Sequence, residues 1–209
     1  MKIKPLDIKP LLKSPGIIAV VGDTDSGKSN LVHAMIQQVK ERTIGTSVYV
    51  YGLRSNVAGV VEITSLEELE LIERSVIFLD EFWFLFGMED RKKDNLKKIQ
   101  RTFQLIKHKK NIIFLIGLPD NFNKFLSSFV NITIFKRCTI SNMINGSPMK
   151  RNVLKSEIPE LGSEYLNVPV EHAIVYDPRK IPFWRTYEVP YLQKHDTKAS
   201  KEPLIKFIK

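Results

Sequence analysis

Cysteine is almost missing from this 209-residue chain. Cys138 stands alone, so neither an intrachain disulfide nor an all-cysteine metal site can form. Histidine is sparse: His33, His108, His172 and His195 are scattered without ligand spacing, which gives a zinc site little support. No apolar run approaches the roughly 18–20 residues of a membrane-spanning helix. The longest, residues 16–22 and residues 76–79 with their aromatic continuation, are strand-sized. The first residues alternate lysine and proline ahead of any apolar run, so they do not read as a secretory signal. These absences argue against a secreted disulfide scaffold and a membrane-spanning protein. The hydrophobic share, 43%, argues against a disordered tail and provides for one buried core. Thirty-two Lys and Arg against 23 Asp and Glu leave a formal charge of +9, which favours a polyanionic partner and is silent on fold.

Three segments are expected. Residues 1–15, with Pro5, Pro10, Pro15 and four lysines, read as an extended arm with little capacity for helix, either a strap over a neighbouring subunit or a loosely held terminus. Residues 16–192 read as one domain. Residues 193–209, with five lysines and little pattern, read as a basic flexible tail. Within the domain, strands are expected at 17–21, 47–51, 76–79, 111–116 and 131–135, with weaker candidates at 57–63, 172–176 and 186–189. Helices are expected at 29–42, 66–72 and 90–110. Ser65 and Glu68 have the spacing of a capping box ahead of the second helix. Residues 140–162 are polar and turn-rich. Apolar strands alternating with helices across short connections indicate a parallel sheet covered on both faces.

Two patterns carry chemistry. Gly22-Asp23-Thr24-Asp25-Ser26-Gly27-Lys28-Ser29 fits G-x-x-x-x-G-K-[ST], between a buried strand and an amphipathic helix. Two glycines allow a tight loop whose N–H groups, with the helix N-terminus, converge on a phosphate. Lys28 is placed to reach the β and γ phosphates and the Ser29 hydroxyl to hold Mg²⁺; Asn30 follows in the same nucleotide-binding set. A tight turn with an incidental lysine is the bland reading. Asp23 and Asp25 are unusual in such a loop, and their charges are expected to point outward, away from the nucleotide. The second pattern is Val76-Ile77-Phe78-Leu79-Asp80-Glu81, 52 residues beyond Lys28 when counted to Asp80. Asp80 would help hold Mg²⁺, and Glu81 would orient or deprotonate an attacking water.

Together these residues resemble the P-loop NTPases of the additional-strand, catalytic-glutamate division. Within that division they resemble the FtsK–HerA superfamily, with its viral genome-packaging ATPases and related Zot-like assembly ATPases. The resemblance spans about residues 17–136. It implies a three-layer RecA-like α/β fold with a mainly parallel sheet, and Mg-dependent ATP hydrolysis by Lys28, Asp80 and Glu81. It also implies a motor that translocates DNA, above all into a viral capsid, as a ring of five or six copies in the host cytoplasm or on the virion. Pro119, Asp120, Asn121 and Phe122 fit the family's exit from its fourth strand. That strand usually ends in a glutamine that senses the γ-phosphate; here Leu115-Ile116-Gly117-Leu118 has none, and Asn121 or Asn123 are the substitutes at hand.

Residues 91–110 hold nine basic side chains and one acid, Asp94, a net +8. A solvated face is the ordinary reading, and a polyanion-facing surface built on Lys92, Lys93, Lys97 and Lys98 stands beside it. Arg91 or Arg101 are candidates for an arginine finger reaching a neighbour's nucleotide. Phe82-Trp83-Phe84-Leu85-Phe86 favours core or subunit contact over base stacking, and Cys138 suits a buried apolar role. Two alternatives to a packaging motor remain. One is a regulatory or structural nucleotide switch with slow hydrolysis. The other is a virion-assembly ATPase working at a membrane, which usually needs a transmembrane anchor. A small-molecule kinase lacks its lid and substrate-side arginines.

Overall fold

Runs of β-branched and aromatic residues with no polar face form strands buried on both sides. Gly16–Val21 (β2) is buried at every position, and Val76–Asp80 (β5) and Ile112–Gly117 (β6) nearly so. The computed structural model describes residues 3–43, 45–82, 93–118, 128–137, 170–180 and 184–189. The remaining strands are β1 (Lys4–Pro5), β3 (Val48–Tyr51), β4 (Val60–Glu62), β7 (Val130–Phe135), β8 (His172–Tyr176) and β9 (Trp184–Glu188). The helices are α1 (Lys28–Arg42), α2 (Leu66–Leu71) and α3 (Lys93–His108). The described residues make a nine-stranded sheet in the order β1-β9-β8-β7-β2-β6-β5-β3-β4. Every pairing is parallel except the two that β8 makes, with β7 and β9. The chain is therefore α/β with a mainly parallel central sheet, as expected.

Alternating strand residues feed two cores. Ile18, Val20, Phe78, Phe114 and Ile134 pack with Leu31, Val32, Met35, Ile36 and Val39 of α1 on one face. Ile17, Ala19, Ile77, Leu79 and Leu115 pack with Leu66 and Leu69 of α2 and Ile99, Phe103 and Ile106 of α3 on the other. Phe78 and Phe114 stack across β5 and β6 with centroids 4.6 Å apart. The α2 cap forms as its spacing predicts. The Ser65 hydroxyl accepts the Glu68 N–H, while the Glu68 carboxylate reaches one residue further back, to the Thr64 N–H at 2.7 Å. That contact holds the Glu68 carboxyl below its ordinary range, chiefly through the Thr64 N–H.

The first residues differ from the extended arm expected of them. Residues Lys4–Pro5 add an edge strand to β9, and Lys9–Lys13 turn as a 3-10 helix with its proline in the first positions, where the missing N–H is harmless. Leu6, Ile8 and Leu11 are buried in the α1-side core. Gln38 of α1 clamps the segment, accepting from the Ile8 N–H at 3.1 Å and donating to the Leu6 carbonyl at 3.0 Å. Other segments match within a few residues: the candidate strand at 57–63 shortens to β4, and the helix expected at 90–110 is described from Lys93. Residues 83–86, 140–162 and 193–209, together with Cys138, Asn121 and Asn123, lie outside the described residues, and so do Arg91 and Lys92. Among the described residues no helix is long and apolar enough to cross a membrane.

Candidate nucleotide-binding site

The two motifs meet at the C-terminal ends of the central strands. β6 lies between β2 and β5, and its register sets Gly117 beside Val21 and Ile116 beside Asp80. The glycine loop therefore leaves the sheet level with Asp80, at the point where connections diverge to either side, the usual ligand crevice of an open α/β sheet.

Loop geometry follows from its small residues. Gly27 is left-handed, with φ of 82°, and caps α1; Asp25 is also left-handed, with φ of 57°. A Cβ on Gly22 would come within 2.6 Å of Ser26 Oγ and 2.8 Å of Lys136 Cβ, and one on Gly27 within 2.8 Å of Val170 Cγ1. Neither position admits a side chain. The Ser26 hydroxyl is buried and has no hydrogen-bond partner among the described residues. Lys28 curls back over the loop and donates to the carbonyls of Gly22 at 2.9 Å and Asp23 at 2.6 Å. Thr24 and Asp25 are exposed, and Ser29 and Asn30 are half-buried in the first turn of α1. Asp25 thus faces outward as expected. Asp23 does not: it is 9% accessible, because its N–H is bonded at 3.0 Å to the Arg137 carbonyl and draws it against the end of β7.

The acid pair stands across from the loop. Burial, and then the neighbouring Glu81 carboxylate, push the Asp80 carboxyl up to about 6, against the pull of the Glu81 N–H and the Lys28 ammonium. Glu81 is exposed and left-handed, with φ of 48°, and its N–H donates to Asp80 Oδ1 at 3.0 Å. A left-handed non-glycine residue is a local strain of the kind found at functional sites. Two neighbours were not singled out from sequence. Gly52 follows β3 with φ of 68°, and its missing Cβ leaves room for the Asp80 carbonyl, which a Cβ would approach to 2.6 Å. Tyr51 precedes it, its hydroxyl raised by burial and then by Glu81. A glycine directly after a short strand is the signal that could have flagged both.

Lys136 is the third. It directly follows β7 at 1% exposure and donates to the carbonyls of Val170 and His172, the latter at 2.7 Å. Burial lowers its ammonium to about 8, with Glu171 opposing.

These residues fit a polyphosphate with Mg²⁺. The loop offers backbone donors, an unpartnered buried hydroxyl and an ammonium. Ser29 and Asp80 offer the hard oxygen donors that Mg²⁺ takes. Two clefts of about 370 and 320 Å³ lie elsewhere, one along α1 beside Val57 and one beside Asn131 at the opposite ends of the strands, and no motif residue lines either.

The basic helix is only partly placed. On α3, Lys97, Arg101, Gln104, Lys107 and His108 are exposed, opposite the buried Ile99, Phe103 and Ile106. Lys93 and Lys98 belong to α3 by backbone, with side chains outside the described residues. Thr102 ties this helix to α2 by donating to Glu70 Oε1 at 2.8 Å. Phe82, first of the aromatic run, is fully buried in the core.

Comparison with solved structures gives the architecture a name. The genome packaging NTPase B204 of Sulfolobus turreted icosahedral virus 2, in complex with sulfate, superposes with a TM-score of 0.59. It is 14% identical, over 87% of this chain and 100% of that one. The chain has the P-loop NTPase fold. The pCW3 conjugation coupling protein TcpA, solved with ATPγS, shares that fold at a TM-score of 0.57 and 15% identity, over 88% of this chain and 62% of TcpA. So does the cytoplasmic domain of the type VII secretion ATPase EccC of Thermomonospora curvata, at 0.58 and 11%, over 90% of this chain and 25% of EccC. The structural neighbours are thus of the type that the sequence resembles. No protein-family model matches the chain. No curated protein matches it in sequence.

Proposed function

We propose that this chain is a Mg-dependent ATPase that translocates DNA, acting as a viral genome-packaging motor. The observation that carries the ATPase reading is the meeting of the glycine loop, residues 22–29, with Asp80 and Glu81 at the ends of β2 and β5. In this reading the loop N–H groups and Lys28 hold the β and γ phosphates, and Lys28 exchanges its bonds to the Gly22 and Asp23 carbonyls for phosphate oxygens. Ser29 and Asp80 hold Mg²⁺, which when bound neutralises phosphate charge. Glu81 is exposed beside Asp80 and takes the proton of the attacking water, while Tyr51 stands close enough to feel its charge. DNA as the partner is supported by the exposed basic side of α3 and by the packaging role of B204. A ring of five or six copies would align the basic surfaces and let one subunit complete another's site, and a capsid protein would be its docking partner.

The decisive experiment is ATP hydrolysis with and without double-stranded DNA. Wild-type turnover that rises with DNA, and is abolished in Glu81→Gln while ATP binding persists, is the expected result. Turnover indifferent to DNA would remove translocation from the reading.

One observation favours a slower nucleotide switch. The end of β6, between the glycine loop and Asp80, carries Ile116, Gly117 and Leu118, so no polar side chain of that segment can register a γ-phosphate. A switch would bind ATP in a single-turnover experiment and release almost no phosphate.

A further inference from the structure

Lys136 is the buried charge that the proposed chemistry leaves unused. Its backbone N–H continues the sheet by donating to the Val21 carbonyl at 2.7 Å, one residue before the glycine loop. Its Cβ packs against Gly22, where a side chain would approach to 2.8 Å, and its Cε lies 3.5 Å from where a Cβ on Gly27 would be. The aliphatic stem therefore runs past both glycines of the loop. The ammonium goes on to the carbonyls of Val170 and His172, and Val170 packs against Gly27. The next residue, Arg137, accepts the Asp23 N–H. One side chain thus touches β7, the loop, and the turn that opens β8.

Lysine is rarely buried this completely, because removing its charge from water is unfavourable unless paired and hydrogen-bonded. Packing alone does not call for it: methionine would fill a similar volume just after β7. We propose that Lys136 is a positioning residue for the phosphate loop, its stem supporting the loop and its ammonium locking the 170–172 turn behind Gly27. The cradle and the β8–β9 hairpin then order together. This rests on reading residues 22–29 as a phosphate cradle. It gives the antiparallel extension of the sheet a task, since β8 brings the turn to the loop. Burial holds the ammonium near 8, low for lysine, and protonated at neutral pH. The charged groups on the elements around it are Asp23 and Lys28 on the loop, Arg137 next to it after β7, and Glu171 on the turn.

Lys136→Met, which keeps the stem and removes the ammonium, tests the assignment on the full chain. The expected result is near-native circular dichroism and a dissociation constant for Mg-ATP raised about tenfold, the scale of a charge-assisted hydrogen bond. Amide exchange should accelerate at both residues 22–28 and residues 170–174, with residues 66–82 and 97–108 unchanged. Unchanged exchange at either of the first two segments, or acceleration throughout, would overturn the proposal. So would wild-type affinity in the variant. If Lys136→Met does not fold, Lys136→Leu, which likewise has no donor, is read the same way. A wild-type chain that binds no ATP would end the ATPase reading instead. The exchange pattern without nucleotide would still decide the clamp.

Discussion

Asp80 illustrates how a carboxylate proposed to hold Mg²⁺ works against the fold that holds it. Burial and Glu81 raise it to about 6 in the folded chain, above its ordinary value of 3.8. The folded state therefore binds more protons than the unfolded state between those values, and stability falls as pH rises through that window. In metal-free protein at pH 7 the ionised carboxylate is a net cost. Its partial exposure lets solvent screen the charge, which leaves about 1–2 kcal/mol. Asp80→Asn keeps an acceptor for the Glu81 N–H and removes the charge. It is expected to unfold at higher urea than wild type at pH 7, with the gap closing by pH 4, and to lose Mg-dependent ATP binding. A variant less stable than wild type at pH 7 would contradict the electrostatic account of this site. The same contrast explains what sequence disclosed at this scale. Asp80 and Lys28 were legible because a local pattern names them. Lys136 and Tyr51 were not, because their importance comes from residues more than 25 positions away.

Elements were legible where their pattern is local. The apolar runs of β2, β5 and β6 and the periodic face of α1 lie within two residues of the segments their sequences predict. The N-terminal segment was not legible, for a physical reason. Pro5 and Pro10 spell an extended chain, yet a proline in the first turn suits a 3-10 helix, and the partner of this backbone is Gln38, about thirty residues on. Its fully buried anchor, Ile8, sits in the same core as Met35 and Ile36. Ile8→Ala should therefore behave as a core truncation and destabilise the chain by about 2–5 kcal/mol, measured by urea unfolding with an unchanged denaturant slope. A loss below about 0.5 kcal/mol, the usual size of a surface substitution, would mean that the segment is not part of the folded unit in solution.

On the one sheet face that α2 and α3 share, charge separates by helix among the described residues. The α2 side carries Glu67, Glu68, Glu70 and Glu73, and α3 carries Lys97, Arg101, Lys107 and His108 on its exposed side. The Thr102–Glu70 hydrogen bond joins the two helices, a 3.4 Å Lys109–Glu73 ion pair joins the residues just beyond their C-termini, and the outer stripe of α3 is left to solvent. Arg101 can serve that stripe or a neighbour's nucleotide, and the two roles separate experimentally. On the same exposed face as Lys97, it is expected to contact phosphates of DNA. Arg101→Ala should then leave DNA-free ATP turnover intact and weaken DNA binding equally across sequences. The slope of log affinity against log salt should fall by about one, the signature of one lost phosphate contact. An arginine that completes the neighbour's site gives the opposite pattern. DNA-free turnover collapses, the salt slope is unchanged, and mixing Arg101→Ala with Lys28→Ala subunits restores activity, because each kind supplies what the other lacks. Complementation of that kind would move Arg101 from the nucleic-acid surface to the subunit interface and make the ring a condition of hydrolysis itself.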